Sequence, residues 1–282
     1  MPSSAVQPLL ALLASPVGGN PTQYMFEKAC AFHELDWRYL TFEVEPADLA
    51  NAVLGLRALG FRGAQCADPH KRAVLPLLDR VSETAAAIGV VNVVLRQEQE
   101  LVGENTEGKG VVETIGSALE LTGKRVVLLG AGGVARAVAM ELAAAGVAEL
   151  MIVNRGEQRA AELLTLLAGK CGGAVSAVAW HADFSVPANA EVLIHATSLG
   201  HGSNHAPLPL DAQTLRPELL VADVQVGTPA TWLLSQATHC GCQTVDGLSM
   251  FIHQVALSFQ LWTGLEADRL VLREAVEEFW EL

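Results

Sequence analysis

Along the chain, short runs of consecutive apolar residues alternate with longer stretches in which apolar positions recur every three or four residues. The short runs suit strands buried in a sheet and the longer ones suit helices with one apolar face. Their alternation predicts an α/β fold with mostly parallel sheets. In the first third, residues 9–15 read as a strand, 21–35 as a helix and 38–44 as a strand. Residues 46–60 read as a helix, with Pro46 in its first turn and Gly60 at its end. Residues 63–71 begin as a strand that Pro69 interrupts, where another helix is expected to start. Residues 91–106 predict a hairpin with its polar tip in water, and 107–120 predict the helix that carries the chain into a second unit.

That second unit opens with a strand and a helix over residues 124–146 and continues with strands at 149–155, 174–180, 191–197 and 219–226. Such a succession predicts a doubly wound sheet. Residues 247–264 and 266–280 read as helices. At 282 residues the chain exceeds the usual size of one domain. The expected division is therefore one α/β domain over residues 1–106, with 247–282 packing back on it, and a second domain over 107–246. No linker rich in Pro, Gly or Ser separates them, so helices are expected to join them.

Composition narrows the function classes. With 18 basic and 31 acidic residues the formal charge is −13, which argues against a nucleic-acid binder or an anionic-membrane binder. The opening MPSSAVQPLL lacks the basic start and cleavage site of a secretory signal, and the apolar stretches break before membrane-spanning length. A cytoplasmic protein is expected. The five cysteines, Cys30, Cys66, Cys171, Cys240 and Cys242, form no CxxC pair and read as reduced thiols. The eight histidines show no metal-ligand spacing, so no metal is expected.

The sharpest local signal is Gly130, Ala131, Gly132, Gly133, Val134 and Ala135, between an apolar strand and an Ala-rich helix. Glycines there allow a tight turn and close backbone approach, and the helix start aims N–H groups and a positive dipole end at a pyrophosphate. This predicts a dinucleotide site. The next strand ends in Asn154 and Arg155, with Arg159 a turn later, where an NAD-selective protein usually carries a carboxylate. Cations at that place suit the 2′-phosphate of NADP. Glu157 competes with that reading, so NADP is favoured with NAD left open.

Six ordered blocks then resemble the shikimate dehydrogenase family. They are Gln65 to Lys71 (QCADPHK), residues 85–94 (AAAIGVVNVV), 103–110 (GENTEGKG), 195–200 (HATSLG), 223–234 (DVQVGTPATWLL) and 246–264. The resemblance implies a substrate domain followed by a Rossmann domain, and reversible hydride transfer between NADP or NAD and a secondary alcohol of a cyclic polyhydroxy carboxylic acid, such as shikimate or quinate. It implies Lys71 and Glu107 as the proton-transfer pair, because an alcohol giving up hydride must also lose its hydroxyl proton. Substrate contacts are implied for Asn20, Thr22, Gln65, Asn92 and Gln254. Besides the Gly-rich turn, cofactor contacts are implied for Thr197, Ser198, Leu199, Val224, Val226, Gly247 and Met250. His195 and His201 flank that loop, within reach of a cofactor, and His70 neighbours the lysine.

The departures from the family pattern cluster in the substrate pocket. Asn20 and Thr22 stand where the family has serines that hold the substrate carboxylate, Gln65 and Ala67 replace its Asn and Thr, and Glu107 replaces its Asp. In the second half, Val226 and Thr228 replace its Tyr and Pro. Two other readings stay open: a cofactor-binding sensor with little catalysis, and a dehydrogenase of folate or amino-acid substrates. A monomer or homodimer is expected.

Overall fold

The computed structural model describes residues 6–200, 207–226 and 231–282, so His201 and Thr228 lie outside the described residues. The chain divides into two compact units, Met1–Thr106 with Gln254–Leu282, and Glu107–His253. The first contains β1 (Leu9–Ala14), α1 (Thr22–Phe32), β2 (Arg38–Glu43), α2 (Leu49–Ala58), β3 (Gly63–Cys66), α3 (His70–Ala73), β4 (Arg80–Val81), α4 (Glu83–Ile88), β5 (Val93–Gln97) and β6 (Glu100–Glu104). Its sheet runs β2-β1-β3-β5-β6-β4. β1 pairs in parallel with both β2 and β3, whereas β3, β5 and β6 run antiparallel. The uninterrupted apolar run of β1 is explained by burial on both faces.

β2 lies at the edge and turns only Tyr39 fully inward. Phe26 and Trp262 lie against that ring, with the Phe26 and Tyr39 centroids 5.1 Å apart, and Phe259 packs on Phe26. Gly60 ends the α2 segment at φ 72°, a left-handed conformation that costs glycine nothing. α4 has no counterpart in the expected elements. Its signals are short but standard: the Ser82 hydroxyl accepts from Ala85 N at the start, and Gly89 ends it in the left-handed region.

The second unit contains α5 (Glu107–Gly116), β7 (Arg125–Leu129), α6 (Gly133–Ala144), β8 (Glu149–Asn154), α7 (Glu157–Leu167), β9 (Ala174–Ala179), β10 (Val192–His195), β11 (Leu220–Asp223), α8 (Trp232–His239) and β12 (Gln243–Val245). Its strands are all parallel, in the order β12-β11-β10-β7-β8-β9. This is the doubly wound arrangement, with its switch point between β7 and β10. α5 packs on α6 where Gly108 meets the Ala137 backbone, a contact that any Cβ would obstruct.

Several expected boundaries shift. The strand expected over 219–226 ends at Asp223, because Gln225 N turns back to bond Asp223 Oδ1. The helix expected to reach residue 120 stops at Gly116. α9 (Gly247–Thr263) was expected to belong whole to the first unit, but Gly247–His253 lie with the second. Gly247 sits against the Gln225 carbonyl with no room for a Cβ, and Met250 enters the core beside Leu128 and Val245. The last helix, α10 (Arg269–Trp280), packs on α1 and is capped by the Asp268 side chain. Among the described residues no helix is long and apolar enough to cross a membrane.

Candidate functional site

In the first unit, the ends of β1 and β3 lie side by side: Ala67 N bonds Leu13 O at 3.0 Å and Ser15 N bonds Asp68 O at 3.2 Å. The chain leaves β1 toward β2 on one side and β3 pairs on the other, so a crevice at these strand ends is the expected ligand position of an α/β sheet. Lys71 stands there in α3. Its side chain is 22 % exposed and reaches Asp68 Oδ2 at 3.7 Å. Its carbonyl receives Val91 N at 2.8 Å, and Cys66 N bonds Asn92 O at 2.9 Å. The backbone thus gathers Gln65, Lys71 and Asn92 into one place. Burial pushes the Cys66 thiol up to about 12, with the nearby Lys71 charge pulling the other way.

Gln65 is 5 % exposed. Its Oε1 accepts from Tyr39 Oη at 3.1 Å. Burial holds that phenol well above its ordinary value, so it remains a donor, and the Gln65 Nε2 donors are left without a partner among the described residues. Thr22 is 1 % exposed at the start of α1, and its Oγ1 is buried with no hydrogen-bond partner. Such a hydroxyl costs about 1–3 kcal/mol unless a ligand satisfies it. The Asn20 side chain instead accepts Thr22 N at 3.0 Å, the local turn role open to such a residue.

Asn92 is fully buried, and most of its capacity is taken. Its Nδ2 donates to Thr106 Oγ1 at 2.9 Å, and its Oδ1 accepts Thr106 N at 2.8 Å. Thr106 Oγ1 meets Ser258 Oγ at 3.2 Å, and Ser258 donates to the Gln254 carbonyl at 2.9 Å. One Nδ2 proton of Asn92 remains for another acceptor. Tyr39, Thr106 and Ser258 support these side chains, and none stood out in sequence. Tyr39 reads as core, and the other two make sense only once distant segments meet.

In the second unit, Gly130 follows β7 at φ 121°, and a Cβ there would lie 2.5 Å from Ala196 O. Only glycine fits between the β7 end and the β10 end. Gly132, the N-cap residue of α6, faces open space where a Cβ would project. Together with the unpartnered first-turn amides of a helix N-terminus, that space fits a pyrophosphate. At the end of β8, Asn154 Nδ2 donates to Gly156 O at 2.8 Å and shapes the turn. Arg155 and Arg159 are exposed and pair with no carboxylate among the described residues, while Glu157 lies 4.0 Å from His181. The two cations are thus available for an extra phosphate.

Thr197, Ser198 and Leu199 follow β10, Val224 and Val226 follow β11, and Gly247 and Met250 open α9. His195, by contrast, is sealed from solvent at 1 % exposure and bonded to Asp223 and Thr197. His70 is likewise buried and holds Val44 O at 2.7 Å. Neither ring is presented to a ligand. Glu107 is half-buried at the first position of α5, and in this chain it belongs to the second unit, while Lys71 belongs to the first.

Comparison with known proteins agrees across the chain. The family model for the shikimate dehydrogenase substrate binding domain matches residues 12–94. The model for shikimate / quinate 5-dehydrogenase matches 111–208, and that for the shikimate 5'-dehydrogenase C-terminal domain matches 247–277. The shikimate dehydrogenase (NADP(+)) of Moorella thermoacetica is 41% identical over 278 residues, covering 95% of this chain and 93% of that protein. The ligand-free 5-ketofructose reductase of Gluconobacter sp. strain CHM43 is similar with a TM-score of 0.93 and 39% identity, over 98% of this chain and 99% of that one. Shikimate 5-dehydrogenase from Listeria monocytogenes, solved with shikimate and NAD, gives a TM-score of 0.89 at 30% identity, over 97% and 98% of the two chains. The chain belongs to the shikimate dehydrogenase family.

Proposed function

We propose that this protein is an NADP-linked dehydrogenase that interconverts a secondary alcohol and a ketone on a small cyclic polyhydroxy carboxylic acid of the shikimate or quinate kind. The observation that carries this reading is the set of polar side chains that the backbone gathers at the ends of β1 and β3. A half-buried lysine there adjoins the partly unsatisfied amides of Gln65 and Asn92, and a hydroxyl without a partner, Thr22 Oγ1, opens the helix that follows β1. Such a set binds hydroxyls and manages one proton. Bound at the Gly130–Ala135 turn, the dinucleotide supplies the hydride acceptor or donor. The main-chain amides at the start of α6 hold its pyrophosphate, and Arg155 and Arg159 hold the 2′-phosphate that distinguishes NADP from NAD.

In the oxidative direction, the Lys71 amine takes the hydroxyl proton as the carbon gives up hydride, and the Glu107 carboxylate orients and shares that proton. In reduction, the same proton returns to the forming alkoxide from the Lys71 ammonium. Gln65, Asn92 and Gln254 orient the ring through its other hydroxyls. Glu107 carries one methylene more than the aspartate of the family pattern it resembles.

A second substrate reading has a specific observation behind it, the likeness to the 5-ketofructose reductase. Neutral Asn20, Thr22 and Gln65 with an apolar Ala67 suit a keto sugar as well as a ring acid. A regulatory role without catalysis has no such support. One experiment separates these readings: NAD(P)H turnover on shikimate, quinate, 5-ketofructose and related polyols, with NADP and NAD, for wild type and Lys71→Ala. We expect turnover on at least one of them with NADP preferred, and a loss of about 10²-fold or more in kcat for Lys71→Ala. Turnover that survives that substitution, or none on any compound, would refute the assignment.

A further inference from the structure

The second unit holds a buried polar relay between the ends of β10 and β11. His195 Nδ1 faces Asp223 Oδ1 at 3.1 Å, and each side chain is 1 % exposed. A carboxylate only accepts, so in the neutral ring Nδ1 carries the proton and Nε2 is an acceptor. Nε2 lies 2.6 Å from Thr197 Oγ1, which donates to it and itself accepts Leu199 N at 3.1 Å. On the far side, Asp223 Oδ2 accepts from Thr231 Oγ1 at 2.8 Å, and Thr231 Oγ1 accepts Leu234 N at 3.3 Å at the start of α8. Gln225 closes the circuit, since its N–H donates to Asp223 Oδ1 and its Nε2 donates to the carbonyls of Thr197 and Leu199.

The His195, Asp223, Thr197 and Thr231 side chains each have partners of the right polarity, and a buried network bonded in this way fixes one geometry. The segments it joins, residues 196–199 and 224–226, flank the switch point where Gly130 backs onto Ala196 O. We propose that His195 and Asp223 are positioning residues that set these two segments for the nicotinamide nucleotide, with His195 as the joint between them. Neither touches the ligand; both act through the backbone of Thr197–Leu199 and Val224–Val226. The proposal rests on the dinucleotide reading above.

Two substitutions split the joint. In His195→Asn the amide nitrogen falls near the place of Nδ1, which keeps the Asp223 bond and gives up the Thr197 bond. In His195→Gln the side-chain oxygen falls near Nε2 and keeps an acceptor for Thr197. Each change gives up one side of the joint, so we expect His195→Asn, His195→Gln and Thr197→Val all to bind NADPH about tenfold more weakly than wild type. NADPH fluorescence titration measures this on the full chain, alongside the melting temperature without nucleotide. In steady state the weakened variants should raise KM for NADPH more than they lower kcat.

A purely structural relay would lower the melting temperature of these variants and leave NADPH affinity unchanged, and that result overturns the proposal. Wild-type affinity in His195→Gln overturns the role of the Asp223 bond, and wild-type affinity in His195→Asn and Thr197→Val overturns that of the Thr197 bond. Because the variants at 195 and Thr197→Val are read separately, failure of one to fold leaves the others decisive. Wild-type protein that binds no NADPH sinks the dinucleotide reading and this inference together. Wild type that binds it, with variants indistinguishable, sinks this inference alone.

Discussion

Thr22 illustrates how a single side chain can be costly to the fold and useful to a site. Its hydroxyl is buried and unpartnered, so replacing it by the near-isosteric valine removes a desolvation penalty. Thr22→Val should raise the stability of the ligand-free protein by about 1 kcal/mol. If the hydroxyl serves a ligand, the same change should lower kcat/KM by about tenfold, equivalent to roughly 1.4 kcal/mol. Urea denaturation and steady-state kinetics on one preparation test both halves, and stability gained with kcat/KM intact would remove Thr22 from the site. His195 shows the opposite case. Its place beside a cofactor loop was legible, but whether the ring faced a ligand or the interior was not, because its partner Asp223 lies 28 residues away and meets it only across adjacent strands.

At the level of elements, the strand-turn-helix at residues 125–144 carries the most information per residue. Gly130 needs both a positive φ and the absence of a Cβ, because the next strand's Ala196 carbonyl occupies the space. Gly130→Ala is expected to destabilise by about 1–3 kcal/mol through backbone strain alone, and to abolish measurable NADPH binding. A melting temperature and titration equal to wild type would show that the turn relaxes. This element was legible because its requirements are local. α4 and β12 were missed for the complementary reason: six and three residues are too short for periodicity to speak, and neighbouring segments hold them in place. The split of α9 between units was equally hidden, since its apolar spacing runs without a break.

Over the whole molecule, charge sets the acid limit. Four carboxyls lie below their ordinary range: Asp79 through Leu101 N and Arg57, Glu120 through Thr122, Glu191 through Lys124, and Glu278 through Tyr24 and Lys28. A carboxyl whose folded value is depressed stabilises above its ordinary value, near 3.8 for Asp and 4.5 for Glu, and loses that contribution as the pH falls through the folded value. Glu141, raised by burial, runs the other way. The four should outweigh the one, so the urea midpoint should decline steadily below about pH 4.5. A midpoint flat from pH 6 to pH 3 would contradict this. With a sequence pI near 5.0, solubility should also be lowest around there.

What the sequence determined by itself was the alternation of elements, the doubly wound second half, the Gly-rich turn and the family, because each depends on spacing along the chain. Tertiary structure alone decided which side chains have spare hydrogen-bonding capacity. Tyr39 takes one end of Gln65, Thr106 takes most of Asn92, Thr22 is left with none, and His195 turns inward to Asp223. Hydrogen bonds are short-ranged and directional. Their partners come from whichever strands the fold sets side by side, and no local pattern records that choice.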